Sequence, residues 1–462
     1  MLPDDVLLEI FDIYVNKNGH QYLKKEIEEW QTLVHVCRRW RSVVFGSPRR
    51  LKLRLYCTSV TPARDTLDLW PSLPLLIQDS YIRKDDEILT VLERSDRMVE
   101  INLNGPNLET VLAAMQVPFP ELTRLVLCPE DGMESDLPDS FLGGSAPRLQ
   151  WITLSRIPFP GIPKHLLSST NLVYLLFNIP HSGYISPEAI VAVLSTLTSL
   201  KSLTLGFESP RSCPDWANRR LPPPTRSVLP ALKYFQFKGV CKYLEDLVAH
   251  IDTPRLKRLN ISLFNQIIFD TPQFIQFVRR SPTLKPFEKA CVIFRCNVAG
   301  LIFSSQTPVY RRLVMKIPCI ELDWQVSSME QICTLCLPPL FLLEGLFIYE
   351  HPYLHPVWKD DIENTLWLEL LRPFTGVKNL YLSEKFGSLI IPALQELTGR
   401  RTAEVLPILQ NIFLEGLQPS GTVQAGVQQF ISTRQDASHP MAVSRWDNSE
   451  DDKRKTYAEV VF

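Results

Sequence analysis

A short apolar pattern recurs along most of the chain, and it has the period of a β-strand. At its first appearance Leu51, Leu53 and Leu55 alternate with Lys52 and Arg54, which predicts a strand with one buried face. Similar segments follow, and their last apolar residues are Leu55, Ile77, Leu103, Leu127, Leu154, Phe177, Leu205, Phe237 and Ile261. The steps between them are 22 to 32 residues long. Repetition at such steps predicts many similar units rather than one globular core.

Each repeat has the form L-x-x-L-x-L, as in Leu122, Leu125 and Leu127, and a helical segment such as residues 187–194 follows the strand. Most steps fall within the period of about 20–29 residues that is typical of leucine-rich repeats. One such unit cannot bury its apolar face alone, whereas stacked units share a continuous core. We therefore predict the α/β class, as a curved leucine-rich-repeat-like solenoid with parallel strands on its concave face, over residues 51–434.

The pattern loosens beyond about residue 283. The segments CIELDW, GLFIYE, NLYLSE and NIFLEG predict strands that end near Leu322, Ile348, Leu382 and Leu414. The wider steps indicate degenerate repeats with longer helices or inserts, and residues 422–434 predict a closing helix. Residues 215–225 are rich in proline and polar side chains, which predicts an exposed loop inserted into one repeat. The tail, residues 435–462, has mixed charge and few apolar residues, so we expect it to be partly disordered.

The first 50 residues have a different, helical period. Pro3 and the acidic pair Asp4 and Asp5 suit the first turn of a helix. One apolar face then comprises Val6, Leu7, Ile10, Phe11 and Tyr14, and a second comprises Trp30, Leu33, Val34, Cys37, Trp40 and Val44. Helices this short are not stable alone in water, so the pair needs a further surface to bury against. We expect the first face, including Leu7 and Phe11, to be partly exposed in the free chain.

These 50 residues resemble an F-box. The resemblance rests on Leu2-Pro3, on VLLEIF at residues 6–11 and on VCRRWR at residues 36–41. The spacer between the two halves, residues 16–29, is longer than the usual form. The resemblance implies a three-helix module that binds the Skp-type adaptor of a cullin–RING ubiquitin ligase. The positions that match adaptor-facing ones are Leu2, Pro3, Val6, Leu7, Ile10, Phe11, Leu33, Val36, Cys37 and Trp40.

The repeat region carries a second resemblance. The segments SPRRLKLRL, NIFLEGLQPSG and SHPMAVSRWD are similar to stretches of the F-box proteins that are expanded in mushroom-forming fungi. That resemblance covers most of the chain and implies the same order of parts. The predicted domains are an F-box at residues 1–50, a leucine-rich-repeat-like solenoid at 51–434 and the tail at 435–462.

Composition limits the function classes. The net charge of −1 and the pI of about 6.7 give no global case for a nucleic-acid partner. Between Trp30 and Arg64, however, the chain has no Asp or Glu but several Lys and Arg, which favours docking of an acidic partner over a merely solvated basic face. The N-terminus does not resemble a secretory signal, no run of about 18 apolar residues is present, and the ten cysteines indicate reduced thiols. We expect a cytoplasmic or nuclear protein without membrane contact.

Motifs for catalysis or metal binding are weak. Cys333 and Cys336 form a C-x-x-C that lacks a second ligand pair, so apolar packing is the better interpretation. His351 and His355 are four residues apart, but a proline follows each of them and disfavours the helix that would place them on one face. A weak metal site there, with the acidic pair at 360–361, is the lesser alternative. We predict no metal, no cofactor and no catalytic residue in this chain.

The favoured function is that of the substrate-recognition subunit of an SCF-type ubiquitin ligase. Such a protein is not an enzyme: it holds the adaptor, and through it a cullin, at one end and a protein target at the other. The alternative is an interaction scaffold that binds the adaptor or another partner without directing ubiquitination. A hydrolase or transferase is a third hypothesis without supporting motifs. The target-binding candidates occupy x positions of the repeats and are Arg124, Trp151, Lys201, Tyr234, Gln236, Lys257 and Asn260. We expect a monomer outside the complex.

Overall fold

The computed structural model describes residues 2–16, 29–48, 50–51, 53–57, 67, 70, 72–79, 85–105, 108–129, 136–158, 161, 163–210, 225–264, 269–284, 287–304, 312–335, 340–351, 353–356, 362–397, 404–415, 422–436 and 441–446. The chain forms two compact units, Met1–Ile185 and Ser186–Phe462. Among the residues named above, no helix is long and apolar enough to cross a membrane. The predicted proline-rich loop, except its last residue, and the tail from 447 onward lie outside the described residues.

The first unit begins with three helices, α1 (Asp4–Asn16), α2 (Glu29–Val36) and α3 (Arg38–Gly46). Its strands are β1 (Leu55–Cys57), β2 (Leu75–Asp79), β3 (Met98–Asn104), β4 (Arg124–Cys128), β5 (Trp151–Ser155) and β6 (Tyr174–Ile179). Helices α4 (Asp85–Leu92) and α5 (Leu108–Ala114) follow β2 and β3, and short 3-10 helices follow β4 and β5. Each strand pairs in parallel with the next one in the chain.

One face of this sheet carries the core. In the register of the parallel pairs, Leu103, Leu127, Leu154 and Phe177 stand side by side, and all four are fully buried. The apolar side chains Val111 and Leu112 of α5 are buried as well. The alternate strand positions are mostly half-buried and form the opposite face, which we call the open face. Burial of one such apolar side chain stabilises the fold by about 1.5–3 kcal/mol, so the rows of leucines are the main stabilising feature.

The second unit continues the alternation of strands and helices. Its strands are β7 (Ser202–Phe207), β8 (Ser227–Val228), β9 (Tyr234–Gly239), β10 (Ile251–Asp252), β11 (Arg258–Leu263), β12 (Lys289–Phe294), β13 (Val298–Ser304), β14 (Arg312–Pro318), β15 (Gly345–Glu350), β16 (Asn379–Leu382), β17 (Asn411–Leu414) and β18 (Ala442–Arg445). Its helices are α6 (Pro187–Leu194), α7 (Cys241–Ala249), α8 (Pro272–Arg280), α9 (Leu322–Leu335), α10 (Asn364–Leu371), α11 (Glu384–Gln395) and α12 (Thr422–Asp436). The strand order is β7-β9-β11-β14-β13-β12-β15-β16-β17-β18, with β8 paired to β10. The predicted fold class, α/β with leucine-rich-repeat-like parallel strands, is confirmed.

Part of the second unit departs from the predicted parallel order. Strand β13 pairs antiparallel with both β12 and β14, so these three strands form a meander inside the sheet. Only Arg295, Cys296 and Asn297 separate β12 from β13, and a parallel connection needs a dozen or more residues. The prediction of parallel strands throughout residues 51–434 is therefore wrong for β13, whereas β12 and β14 pair in parallel with β15 and β11.

The segment CIELDW is not a strand, contrary to the prediction. Leu322 is the first residue of α9, and it begins a row with Val326, Met329 and Ile332, all of them fully buried. The row advances by three or four residues, which is a helical period that a six-residue window is too short to show. The other three strands predicted in this region are present as β15, β16 and β17.

Both ends of the repeat region differ in detail from the pattern. Leu51, Leu53 and Leu55 are buried, but strand pairing begins only at Leu55. The predicted closing helix is present as α12. Beyond it, residues 442–445 of the tail form β18, which pairs in parallel with β17. The domain boundaries at residues 50 and 434 stay predictions, since the two compact units divide the chain elsewhere.

A buried carboxylate joins two successive helices of the second unit. Glu245 of α7 accepts hydrogen bonds from the backbone N–H groups of Gln273, at 2.8 Å, and Phe274, at 2.7 Å, in the first turn of α8. These N–H groups have no partner within their own helix, so the carboxylate caps it. Burial raises the pKa of Glu245 to about 7, with smaller contributions from Asp270 and Asp246, although the two hydrogen bonds favour the charged form.

We expect Glu245 to make the stability of the fold fall as the pH rises from about 4.5 to about 7. The unfolded chain loses this proton near pH 4.5 and the folded chain near pH 7, so protonation favours the folded state. Glu245→Gln removes the contribution of this carboxyl group to the dependence of stability on pH. The free energy of unfolding of the variant, measured by urea titration, should rise relative to that of wild type by on the order of 3 kcal/mol as the pH goes from 5 to 8.

Glu384→Gln is the matched control, because Glu384 is a helical glutamate of the same unit but is exposed. This variant should keep the pH profile of wild type. Parallel profiles for wild type and Glu245→Gln would contradict the assignment.

Candidate partner-binding surfaces

The three N-terminal helices enclose a small apolar core. Its largest members are Phe11 of α1 and Trp30 of α2, which are 0 % and 1 % exposed. The other buried side chains are Leu7, Leu8, Leu33, Val34, Val43 and Val44. The ring of Phe11 also lies against that of Trp40, with centroids 4.8 Å apart. Because a 13-residue helix is marginal alone, this core is what holds α1 in place.

Trp30 ties these helices to the strands of the first unit. Its indole N–H donates a hydrogen bond of 3.1 Å to the carbonyl of Arg54, directly before β1. Its ring meets those of Phe45 and Trp70 edge-on, at centroid distances of 6.1 Å and 5.1 Å. A buried tryptophan whose N–H is bonded supplies both apolar area and orientation. The short helices therefore share a core with the start of the repeats.

The opposite side of α1 is apolar and exposed. We call it the α1 stripe, and its members are Leu2 (51 % exposed), Val6 (41 %), Ile10 (47 %), Ile13 (66 %) and Tyr14 (45 %). Ile10 is four residues after Val6, and Ile13 and Tyr14 are three and four residues after Ile10, so these side chains follow one side of α1, and Leu2 lies just before the helix. An exposed apolar row of this kind marks an interaction surface more often than it marks chance. The predicted partial exposure of the first apolar face is confirmed for Val6, Ile10 and Tyr14 and wrong for Leu7 and Phe11, which face the core.

The structure divides the ten predicted adaptor-binding residues by exposure. The exposed ones are Leu2, Pro3, Val6, Ile10, Val36 and Cys37, Trp40 is half-buried, and the buried ones are Leu7, Phe11 and Leu33. Cys37 precedes α3 and its sulfur accepts the N–H of Trp40 at 3.5 Å, so it caps that helix. Ile13 and Tyr14 extend the exposed side beyond the residues that the motif suggested. Tyr14 belonged to the predicted apolar face of the first helix, whereas Ile13 did not, although it follows Ile10 at a helical spacing of three residues.

Much of the basic segment is already paired within this chain. The ion pairs are Arg39–Asp4, Arg50–Glu9 and Arg54–Glu100. Arg39 also donates to the carbonyl of Leu2, which holds the N-terminus against α3. Arg41 donates to the carbonyl of Val34 at 3.0 Å, and residues 49 and 52 lie outside the described residues. The segment therefore offers an acidic partner less free charge than its composition indicates.

A guanidinium–aromatic stack lies on the open face of the first unit. Arg124, Trp151 and Tyr174 occupy one register position on β4, β5 and β6. The guanidinium carbon of Arg124 is 4.6 Å from the ring centroid of Trp151, which stacks on Tyr174 at 3.6 Å and 8°. The indole N–H of Trp151 donates to the hydroxyl of Thr153 at 3.2 Å. Two predicted target-binding residues are thus brought together, and Tyr174 joins them.

A polar group lies on the open face of the second unit. Asn260 donates from its amide nitrogen to the hydroxyl of Tyr234 at 3.1 Å, and that hydroxyl donates to the side-chain oxygen of Gln236. All three side chains are half-buried. Lys201 and Lys257 are exposed, each directly before a strand. These five residues are the remaining predicted target-binding positions, and they belong to β7, β9 and β11 or to the residues that lead into them.

An aromatic ladder follows on the same face and was not predicted. Phe347, Tyr381 and Phe413 share one register position on β15, β16 and β17 and stack at 4.1 Å and 4.5 Å. Trp446, just beyond β18, meets Phe347 at 5.8 Å and Tyr381 at 5.6 Å. Burial raises the pKa of Tyr381. The sequence signal was an aromatic residue directly before the last apolar residue of each predicted strand, which is Ile348, Leu382 or Leu414.

The weak metal and redox motifs gain no support. Cys333 is buried in α9, and Cys336 lies outside the described residues. Burial lowers the pKa of His351 to about 4, with a further contribution from Arg295, and Tyr353 donates its backbone N–H to the Nδ1 atom of His351 at 3.3 Å. Within the described ranges, no three His, Cys, Asp or Glu side chains are grouped so that they could hold a metal ion.

Comparison with known proteins assigns this chain to no family. No protein-family model matches it, and no curated protein matches it. Among solved structures it is similar to a leucine-rich-repeat protein of Leptospira interrogans, with 13% sequence identity and a TM-score of 0.29, over 79% of this chain and 75% of that one. The leucine-rich-repeat-like fold therefore rests on the strands and registers described above.

Phe11 and its neighbour Ile10 should differ sharply when each is replaced by alanine. Phe11 is fully buried, so Phe11→Ala leaves a cavity and should cost about 3–5 kcal/mol of unfolding free energy. Ile10 is 47 % exposed, so Ile10→Ala should cost less than about 1 kcal/mol. Thermal unfolding followed by circular dichroism measures both. Equal losses in the two variants would mean that the division of α1 into a core side and a stripe is wrong.

Proposed function

We propose that this chain is the substrate-recognition subunit of an SCF-type cullin–RING ubiquitin ligase. In this role α1 to α3 bind a Skp-type adaptor, and through it a cullin, while the open face of the repeats binds a protein target. The chain contributes no catalytic group; it raises the local concentration of target near the ubiquitin-charged enzyme. The proposal includes the F-box resemblance of residues 1–50 and a location in the cytoplasm or nucleus.

The α1 stripe is the observation that carries this proposal. A monomeric protein rarely leaves a continuous apolar row exposed unless the row binds something. An amphipathic helix that lays such a row into an apolar groove is a common recognition mode. The core side of α1 is filled by Leu7 and Phe11, so a partner can cover Val6 and Ile10 without disturbing the fold. Arg39 supports this geometry, because its ion pair with Asp4 at 2.6 Å fixes the first turn of α1.

The open face suits the second half of the proposed role. Trp, Tyr and Arg are the residue types most enriched among binding hot spots. Arg124, Trp151 and Tyr174 supply one of each, half-buried and stacked, so that little side-chain entropy is left to lose on binding. The guanidinium of Arg124 makes no ion pair with any residue that the structure describes. A target with an acidic or carbonyl group can therefore bind it.

An interaction scaffold that binds the adaptor or another partner without directing ubiquitination is the second candidate. The stacked Arg124, Trp151 and Tyr174 on the leucine-rich-repeat-like sheet support it equally, because such side chains can bind a partner in either role. Reconstitution with a purified Skp-type adaptor and a cullin–RING core separates the two. A ligase subunit forms the ternary complex, whereas a scaffold of this kind stops at the adaptor or at an unrelated partner.

The stripe variant Val6→Ala with Ile10→Ala should weaken adaptor binding at least about thirtyfold, because two anchors at the centre of an interface are truncated. The measurement is titration of a purified Skp-type adaptor by calorimetry. The matched control is Val228→Ala with Ile408→Ala, since these side chains are 55 % and 46 % exposed and lie in the second unit. If wild type and the stripe variant bind the adaptor equally well, the α1 stripe is not the adaptor-binding surface. No binding by wild type would refute the proposed function.

A further inference from the structure

Three exposed lysines stand in a row at one edge of the second unit. Lys201, Lys233 and Lys257 each lie one residue before β7, β9 and β11. The N–H of Lys233 donates to the carbonyl of Lys201 at 2.8 Å, and the N–H of Lys257 donates to the carbonyl of Lys233 at 2.8 Å. Adjacent strands are about 4.8 Å apart, so the row is about 10 Å long. We call these three residues the lysine row.

The same backbone position is mixed in charge elsewhere in the sheet. Before β12, β15 and β16 it holds Glu288, Glu344 and Lys378, joined by the same kind of backbone hydrogen bonds. There Lys378 pairs with Glu344 at 2.7 Å. Three lysines at consecutive positions are therefore a local property of β7, β9 and β11 and do not follow from the repeat geometry.

Within the part of the chain that the structure describes, no anion pairs with the lysine row. None of its three side chains makes an ion pair or hydrogen bond with any residue in the described ranges. Strands β7, β9 and β11 themselves contain no Asp or Glu, and Lys238 adds a further exposed cation on β9. Like charges this close repel each other, so an anionic partner would reduce the electrostatic repulsion among the three ammonium groups.

Neutral amides follow the row three residues later on two of the same strands. Gln236 and Asn260 occupy paired register positions on β9 and β11, and both side chains are half-buried. Side-chain amides offer donors and acceptors together, which is what the backbone of an extended peptide needs. Phosphate groups or lipid headgroups need donors alone. The combination of a cation row and adjacent amides therefore favours a peptide.

We infer that the lysine row with its neighbouring amides binds an extended acidic segment of a partner protein. The inference rests on the proposed function in one respect, since it names the chemical class of target for the open face. Carboxylates on alternate residues of an extended chain are about 7 Å apart, so a stretch of three or four residues matches the row. Duplex-DNA binding proteins commonly make about six to ten phosphate contacts, and polybasic membrane sites use about four to eight cations, both more than this row provides.

The test uses the full chain without adaptor and a fluorescein-labelled nine-residue peptide of alternating Glu and Ser. Fluorescence anisotropy should show binding that weakens as salt rises from 50 to 300 mM, and a Gln/Ser peptide of the same length should not bind. The variant Lys201→Ser, Lys233→Ser, Lys257→Ser should lose about tenfold in affinity. The matched control removes the same charge elsewhere in the unit, as Arg372→Ser, Lys378→Ser, Lys385→Ser, and should bind like wild type.

Several outcomes would overturn the inference. These are no peptide binding by wild type at 50 mM salt, an equal loss in the two triple variants, or tighter row-dependent binding of oligothymidine or phosphatidylserine vesicles than of the peptide. The salt series on wild type does not depend on whether a variant folds. Adaptor titration on the same preparation keeps the proposed function separate, because it reports on α1 and not on the lysine row.

Discussion

The register of the parallel strands is the constraint on which the rest of this structure depends. Each repeat is too small to bury its own leucines, so neighbouring strands must align Leu103, Leu127 and Leu154 in one buried row. A slip of one residue would turn every leucine to the open face. The alignment that protects the core therefore also sorts the open-face side chains into rows. That is why Arg124 meets Trp151, and why three lysines stand together at the start of β7, β9 and β11.

The repeated part of the fold was readable from the sequence because its signal is periodic and local. The positions from Ile77 to Ile261 that ended predicted strands lie in or at the ends of observed strands. Beyond residue 283 the signal failed for two physical reasons. Leu322 belongs to a helix whose period exceeds the window that suggested a strand, and β13 reverses direction because a three-residue connection cannot cross the sheet. Periodicity predicts elements, whereas connection length decides their direction.

The candidate sites were predicted less well than the fold. A motif identifies residue types, but it does not say which side of a helix each one faces. In α1 both sides are apolar, so Leu7 and Ile10 look alike in sequence and differ completely in exposure. The stack of Trp151 on Tyr174 and the ladder through Tyr381 join residues from different repeats. Contacts of that kind depend on strand register, which a single sequence does not display.

The meander of β12, β13 and β14 also affects how the second unit reaches its folded state. In a regular solenoid each new strand pairs with the one synthesised just before it, and structure can grow one repeat at a time. Here β11 pairs with β14, about fifty residues later in the chain, and β12 pairs in parallel with β15, which is also about fifty residues later. The sheet cannot grow past this point one strand at a time, because β12, β13 and β14 must pair with one another before β11 and β15 are connected through them. The kinetic barrier of the unit is therefore expected at this junction, where loop closure is longest.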